Sequence, residues 1–348
     1  MHTRHCRPIA RRLRLWLSSL TLIALLIALL HILHQPAKHV DQHHHEQHHL
    51  HHRPPLNASK LALLIENRPS PLLAPLMLHF IATLPPDWPF LFLGSHASLA
   101  AISASRAVRA HASSGKLGLA RIPANMSTAG PEMISRFLTS LWVYEALLPA
   151  SVEWLLLFQT DSVVCANARL SVDDFLGYDW VGAPWNPRGQ WGGNGGLSLR
   201  RVSTIVDVLR NQVRPRGGEP EDVWLSERLA AHPSANVANG SVSLLFAGEV
   251  NPGEPERVLP PPMGAAGANR SSDGGGSHGL VGGIDDWRDG FYEPMGYHTG
   301  GSGAFLHSGI WGTPELREHI WKYCPEIKMT LAMDAARYVP GKCGARWT

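Results

Sequence analysis

Asp161 interrupts an apolar run. Trp154–Phe158 reads WLLLF, the composition of a strand buried on both faces. Gln159-Thr160-Asp161-Ser162 follows at once, and Val163-Val164-Cys165 is apolar again. A carboxylate at the mouth of a buried strand is expensive unless something neutralises it. A divalent cation would do so, and a solvated or capping aspartate at a strand-to-loop turn is the ordinary alternative. Three later features bear on that choice. Gly192-Gly-Asn-Gly-Gly196 packs four glycines around Asn194, so its backbone can lie directly against a ligand. Pro220-Glu221-Asp222-Val223 opens a helix with two acids in the first turn, which the helix dipole alone would explain. His298 stands in Gly296-Tyr297-His298 before Thr299-Gly-Gly-Ser-Gly303, an unusually open backbone for a histidine. Each feature is ordinary by itself; their succession on one chain is not.

Those groups need a frame, and the chain spells one out. Leu61–Ile65 reads as a short buried strand ending in Glu66-Asn67-Arg68. Leu72–Leu84 has helical spacing, Phe90–Leu93 is a second strand, and helices are expected over Leu99–His111 and Ile134–Leu148. Trp154–Phe158 is then a further buried strand. Strands alternating with helices, apolar throughout, predict an α/β domain with a mostly parallel sheet covered on both faces. In such sheets ligands bind beyond the carboxyl ends of the strands, where Asp161 falls. Further on, Trp180–Trp185, Gly196–Leu199 and Val242–Phe246 read as shorter strands, and Val202–Leu209 and Val223–Ala231 as helices. Residues 251–286, rich in Gly, Pro and Ser, read as a flexible insertion.

The 348 residues are 44% hydrophobic and 17% charged, enough for a sizeable core. A net charge of +3 is too mild to argue for nucleic acid as a partner. Leu15–Leu33 is a 19-residue apolar stretch, long enough to span a bilayer. Arg4, Arg7, Arg11, Arg12 and Arg14 precede it, with only Lys38 and Arg53 soon after. That bias predicts a cytosolic tail (1–14), a transmembrane signal anchor (15–33), a His- and Pro-rich stem (34–59) and a luminal domain from residue 60 to 348. A cleaved signal peptide fits less well, because no small-residue cleavage site follows. Asn57-Ala-Ser, Asn125-Met-Ser, Asn239-Gly-Ser and Asn269-Arg-Ser are glycosylation acceptor patterns and agree with a luminal body. Cys324 and Cys343, both near the C-terminus, are the pair that could bridge in an oxidising compartment.

The ordered phrases FQTDSVVC, YDWVGAPWN, GGNGGLSLRR, PMGYHTGGSG and YCPEIKMTLAMD resemble an uncharacterised, largely fungal family of glycosyltransferase-like domains. More broadly they are similar to the nucleotide-sugar-dependent glycosyltransferases of the GT-A fold, over roughly Lys60 to the C-terminus. The resemblance implies a GT-A-like sheet and transfer of a sugar from a nucleotide-sugar donor to an acceptor hydroxyl, with inversion. It also implies a bound Mn2+ or Mg2+. Asp161 matches the second aspartate of the D-x-D motif and His298 the late histidine, so both are implied metal ligands. Gln159 stands where the first aspartate would, and brings no charge to the donor. Gly193, Asn194, Gly195 and Gly196 match the loop beside the transferred sugar, and Asp222 the catalytic base. Glu66 and Arg68, at the end of the first strand, are further donor-binding candidates. The implied acceptor is a glycan, glycoprotein or glycolipid, and the implied setting is the Golgi or endoplasmic reticulum, anchored as a single-pass type II protein. Gln159 keeps two alternatives open: a catalytically inactive luminal sugar- or nucleotide-binding protein, and a luminal scaffold.

Overall fold

The computed structural model describes residues 55–258, 280 and 282–332, all within one unit, Arg53–Thr348. The expected cytosolic tail, the transmembrane segment 15–33, most of the stem, the glycine-rich centre of the insertion, and Cys343 lie outside the described residues. Among the described residues no helix is long and apolar enough to cross a membrane.

Strand β1 (Lys60–Glu66) leads through helix α1 (Leu73–Thr83) to β2 (Phe90–Gly94). Helices α2 (His96–Ser103) and α3 (Arg106–Ser113) then lead to β3 (Leu117–Arg121), and α4 (Pro131–Leu138) and a π-helical turn at Val143–Leu147 lead to β4 (Trp154–Phe158). After β4 come β5 (Ser162–Val164), β6 (Trp180–Gly182) and β7 (Leu197–Arg201). Helices α5 (Val202–Asn211), α6 (Glu221–Ala230) and α7 (Gly240–Phe246) follow, then β8 (Ala247–Gly248), β9 (Gly296–His298) and α8 (Pro314–Tyr323). A six-stranded sheet runs β3-β2-β1-β4-β7-β6, and a small sheet runs β5-β9-β8. In the large sheet β1 pairs in parallel with β2 and β4, β2 with β3, and β7 alone runs against its neighbours. In the small sheet β9 runs against β5 and parallel to β8. This is the α/β, mostly parallel sheet flanked by helices that the periodicity predicted.

The period-two alternation of β1 and β4 divides the core. Ala62, Leu64, Leu156 and Phe158 face one layer, where α1 supplies Leu73, Leu76, Met77 and Phe80 at helical spacing. Phe80 stacks on Phe158 with ring centres 3.9 Å apart. Leu61, Leu63, Leu155 and Leu157 face the other, against Phe137, Tyr144, Ile205 and Trp224. A third cluster joins Val163 and Tyr297 of the small sheet to Ile320 and Tyr323 of α8.

Several local expectations change. The helix read over Leu99–His111 is two helices, because Ser95 and Ser105 each accept an N-terminal amide and start a new one. The Ile134–Leu148 helix ends at Leu138, where the Thr139 hydroxyl donates back to the Ser135 carbonyl, and resumes only as the π turn. Val242–Phe246, read as a strand, is helical in α7: the Asn239 side chain accepts the Val242 amide and caps it. The start of the insertion is tied down rather than loose. The Asn251 amide donates to the Pro184 carbonyl, and Glu256 exchanges backbone hydrogen bonds with Gly290 and Phe291. Cys324 bridges to Cys165, not Cys343, because the end of β5 lies against the end of α8 with the two Cα atoms 4.9 Å apart.

Candidate functional site

β1 and β4 are parallel neighbours, so their carboxyl ends open on the same edge of the sheet. A cavity of about 590 Å³ sits there. Glu66, Asn67 and Arg68 line it from the end of β1, Gln159, Thr160 and Asp161 from the segment after β4, and His298, Gly301 and Ser302 from the end of β9 and the turn that follows. Five sequence-predicted residues therefore meet: Glu66, Arg68, Gln159, Asp161 and His298. Gly193–Gly196 and Asp222 do not line this cavity; they form its neighbouring layer.

The small sheet acts as a ruler. Ser162 of β5 pairs with His298 of β9, which sets Asp161 beside the histidine. β8 pairs with the other edge of β9 through Ala247–Gly296 and Gly248–Tyr297, and Glu249, the next residue, falls beside His298. The imidazole thus lies between two carboxylates, Nε2 3.5 Å from Asp161 Oδ1 and Nδ1 3.1 Å from Glu249 Oε1. Neither contact is aligned as a hydrogen bond, so both ring nitrogens are buried without one. Burial alone would push the imidazole down, but the two carboxylates outweigh it and raise it to about 9. Asp161 is 4% exposed. Burial pushes its carboxyl up, while His298 and the Ser302 amide hold it below the usual carboxylate value.

Asp161 is held from both ends. Its backbone carbonyl accepts from the Thr299 amide and hydroxyl at 2.9 and 3.0 Å, and its Oδ2 accepts the Ser302 amide at 2.8 Å. That amide is delivered by four consecutive left-handed residues, with φ of 73° at Gly300, 56° at Gly301, 56° at Ser302 and 84° at Gly303. Ser302 is the one non-glycine residue with positive φ among the described residues. Three glycines make the turn affordable, which explains the open backbone noted after His298.

The glycine loop has a steric reason that the sequence did not disclose. A Cβ on Gly195 would stand 2.6 Å from Glu221 Oε1 and 2.8 Å from Arg200 Nη2. One on Gly196 would stand 2.7 Å from His298 Cδ2 and 2.8 Å from Cε1, and closer still to Nε2. Gly193 likewise abuts the Gly182 carbonyl. The loop is thus packed against the site's own side chains. It is pinned to β4 as well: the Gly196 carbonyl accepts the Gln159 amide at 2.9 Å and the Ser162 hydroxyl at 2.7 Å. Asn194 caps the Gly196 amide with its carbonyl oxygen and points its side-chain nitrogen at Glu249, 3.4 Å away.

Asp222 accepts the Gly195 amide at 3.0 Å and the Val223 amide at 2.9 Å. Glu221 is more than a dipole residue. It forms a two-pronged pair with the fully buried Arg200, at 2.8 and 3.1 Å. Burial pushes the Glu221 carboxyl up, against the pull of that guanidinium. Arg200 also donates to the Gly195 carbonyl at 3.2 Å and lies 4.4 Å from the Trp180 ring centre. On the cavity's other wall, Arg68 pairs with Glu66 at 2.6 and 2.9 Å and keeps most of its side chain exposed.

Sequence reasoning missed Glu249, Ser302 and Arg200. Arg200 gave a misleading signal, since the alternation Leu197-Ser198-Leu199-Arg200 reads as a strand with Arg200 on its polar, solvent face, yet the structure buries it completely. Glu249 and Ser302 had none: their placement follows from strands of two and three residues whose partners are distant in the chain.

Among the described residues no cluster of three or more metal-ligating side chains is arranged around one point. Asp161 Oδ1 and His298 Nε2 nevertheless fit a shared hard cation that takes its remaining ligands from a substrate and water. One is a carboxylate with a free oxygen, the other a buried nitrogen with no hydrogen bond, and both face the cavity.

Residues 116–264 match the family described as Protein of unknown function (DUF5672). No curated protein matches the sequence. Among solved structures, the chain is similar to the mannosyltransferase PcManGT from Pyrobaculum calidifontis, in complex with GDP-Man and Mn2+. That similarity has 12% identity and a TM-score of 0.35, over 52% of this chain and 54% of that one. It is also similar to an active-site mutant of LgtC, at 15% identity and a TM-score of 0.38 over 79% of this chain and 97% of that one. The mannosyltransferase Ktr4p from S. cerevisiae, in complex with GDP, gives 10% identity and a TM-score of 0.26 over 44% and 46%. The matched region thus spans about half the length of either mannosyltransferase. The DUF5672 match contains Asp161, the glycine loop, Asp222 and Glu249, and stops short of His298.

Proposed function

We propose that this protein is a metal-dependent glycosyltransferase that moves a sugar from a nucleotide-sugar donor to a hydroxyl of a glycan, glycoprotein or glycolipid, with inversion. The observation that carries the reading is the Asp161–His298 pair, buried at the carboxyl edge of the central parallel strands and open to a cavity of nucleotide size. Asp161 and His298 would hold Mn2+ or Mg2+. When bound, the cation stabilises negative charge on a departing diphosphate. Arg68, paired with Glu66, offers its remaining guanidinium N–H groups to the same cavity, and the Gln159 side chain offers neutral hydrogen bonds to the donor. In the transfer itself, the acceptor oxygen forms a bond to the anomeric carbon as the bond to the diphosphate breaks. The electron pair leaves with the phosphate, and the acceptor proton goes to a carboxylate, assigned to Asp222. The amides of Gly195 and Val223 fix that carboxylate while leaving each oxygen a free lone pair.

The reading includes a single-pass type II topology with the domain in the lumen of the Golgi or endoplasmic reticulum. The arginine bias around Leu15–Leu33 supports it, as does the Cys165–Cys324 disulfide, a bond that persists in oxidising compartments. Detergent-solubilised full-length protein, screened against nucleotide sugars including GDP-mannose with and without Mn2+, tests the function. Sugar transfer or donor hydrolysis that needs the cation is the expected result. Donor binding with no turnover by any nucleotide sugar would support the inactive binding protein, and no binding at all would leave the scaffold. Asp222→Asn should lose about 10²–10⁴-fold in kcat with donor affinity unchanged. Near-normal turnover would remove Asp222 from the mechanism.

A further inference from the structure

We infer that Glu249 is a positioning residue for the cation centre, acting on the metal through His298. The inference rests on the metal reading of Asp161 and His298 and adds to it a carboxylate that does not itself face the cavity.

The small sheet sets Asp161, just before β5, and Glu249, just after β8, on either side of His298 at the end of β9, with the imidazole in the middle. A histidine that binds a metal through Nε2 must hold its remaining proton on Nδ1, and needs an acceptor there to fix the tautomer and the ring plane. Glu249 Oε1, 3.1 Å from Nδ1, is the carboxylate oxygen within reach of that nitrogen. Among the described residues no other acceptor is shown at Nδ1. The ring lies so close to Gly196 that a Cβ there would press on it, and its Nε2 side is turned to Asp161.

Glu249 is itself held. Its backbone follows β8 directly, its Oε1 accepts from the Asn194 side-chain amide at 3.4 Å, and a Cβ added to Gly300 would stand 3.3 Å from that oxygen. Asn194 also caps Gly196, so the same carboxylate ties the glycine loop to the histidine. Its side chain does not line the cavity, so it is not placed to meet a substrate directly. A buried carboxylate with one solvent-shielded imidazole as its main partner is a costly arrangement for stability alone. It is the arrangement that orients a ligand.

The test is Mn2+ uptake by the full-length protein, read from loss of the free-ion electron paramagnetic resonance signal and needing no turnover. It uses wild type, Glu249→Gln, His298→Ala and the double variant, each with its thermal midpoint measured without metal. Glu249→Gln keeps the shape of the site and accepts poorly from Nδ1–H, so it should bind Mn2+ about 10–100-fold more weakly than wild type. Because Glu249 acts through the imidazole, adding Glu249→Gln to His298→Ala should cost nothing further. A structural role would weaken both backgrounds alike. Glu249→Gln with wild-type affinity, or fully additive losses, overturns the inference and leaves Asp161 and His298 as ligands. Wild type that takes up no Mn2+, alone or with GDP or UDP, overturns the metal reading and this inference with it.

Discussion

Gly196→Ala separates the steric account of the glycine loop from the expectation that the glycines serve only a ligand. Gly196 has no left-handed backbone to protect, so alanine is conformationally acceptable there. The side chain is the whole perturbation. Its methyl would lie 2.7 Å from His298 Cδ2, and ordinary contact begins near 3.4 Å. The ring must therefore retreat by roughly 1 Å, or β4 and β7 must part by as much, in a close-packed layer that resists both. Overpacking of this kind costs about 1–3 kcal/mol of stability. A displacement of that size in a residue that positions the chemistry costs on the order of 10²-fold in rate. The expected pattern is a folded protein with a modestly lower thermal midpoint, much weaker Mn2+ uptake and a turnover deficit far larger than the stability loss explains. Gly177→Ala, at a glycine whose added methyl meets nothing, is the control and should match wild type. If Gly196→Ala takes up Mn2+ as wild type does, the imbalance is absent and His298 is not held against the loop as described.

Glu221→Gln should destabilise the protein by about 3–5 kcal/mol in urea unfolding, because it leaves the buried Arg200 charge half-answered; a loss under 1 kcal/mol would contradict the pairing. Peptide mapping without reduction should recover Cys165 linked to Cys324, and a Cys324–Cys343 peptide would refute the fold around α8. In the absence of metal, His298 stabilises the protein through its raised basicity, a contribution complete below its unfolded value of 6.5 and lost as pH rises through about 9. Urea midpoints should fall across that window in wild type and lose that part of the slope in His298→Ala. Identical slopes would remove the ion cluster.

The large sheet was legible because β1 and β4 are nearly unbroken apolar runs, buried on both faces, and because α1 buries residues at helical spacing between them. Asp161 and His298 were legible as residues out of place, a charge after an apolar run and a histidine among glycines. The geometry that joins them was not. β5, β8 and β9 are two or three residues long, and β9 meets partners far away in sequence. Strands that short carry no period, so Glu249 looked like any surface glutamate. Asn239-Gly-Ser had two legible meanings, an acceptor pattern and a helix cap, and only the first was read. Asn239 holds the start of α7 where a strand was expected.

The pair Glu221-Asp222 shows why adjacency in sequence is a poor guide to role. Both acids sit in the first turn of α6, and the dipole argument applies equally to each. Packing separates them. Glu221 turns inward to Arg200, whose guanidinium also grips the Gly195 carbonyl. Asp222 turns the other way and takes the Gly195 amide. The two peptide units that flank Gly195 are thereby held by the two acids, one through an arginine and one directly. A buried ion pair of this kind contributes little net stability compared with an apolar core. What it does contribute is a fixed place for the loop, and with it a fixed back for His298 and a fixed orientation for Asp222. The costly charge in the core and the crowding that forbids side chains on the loop are two aspects of one construction, in which the residues proposed to react are braced by residues that are not.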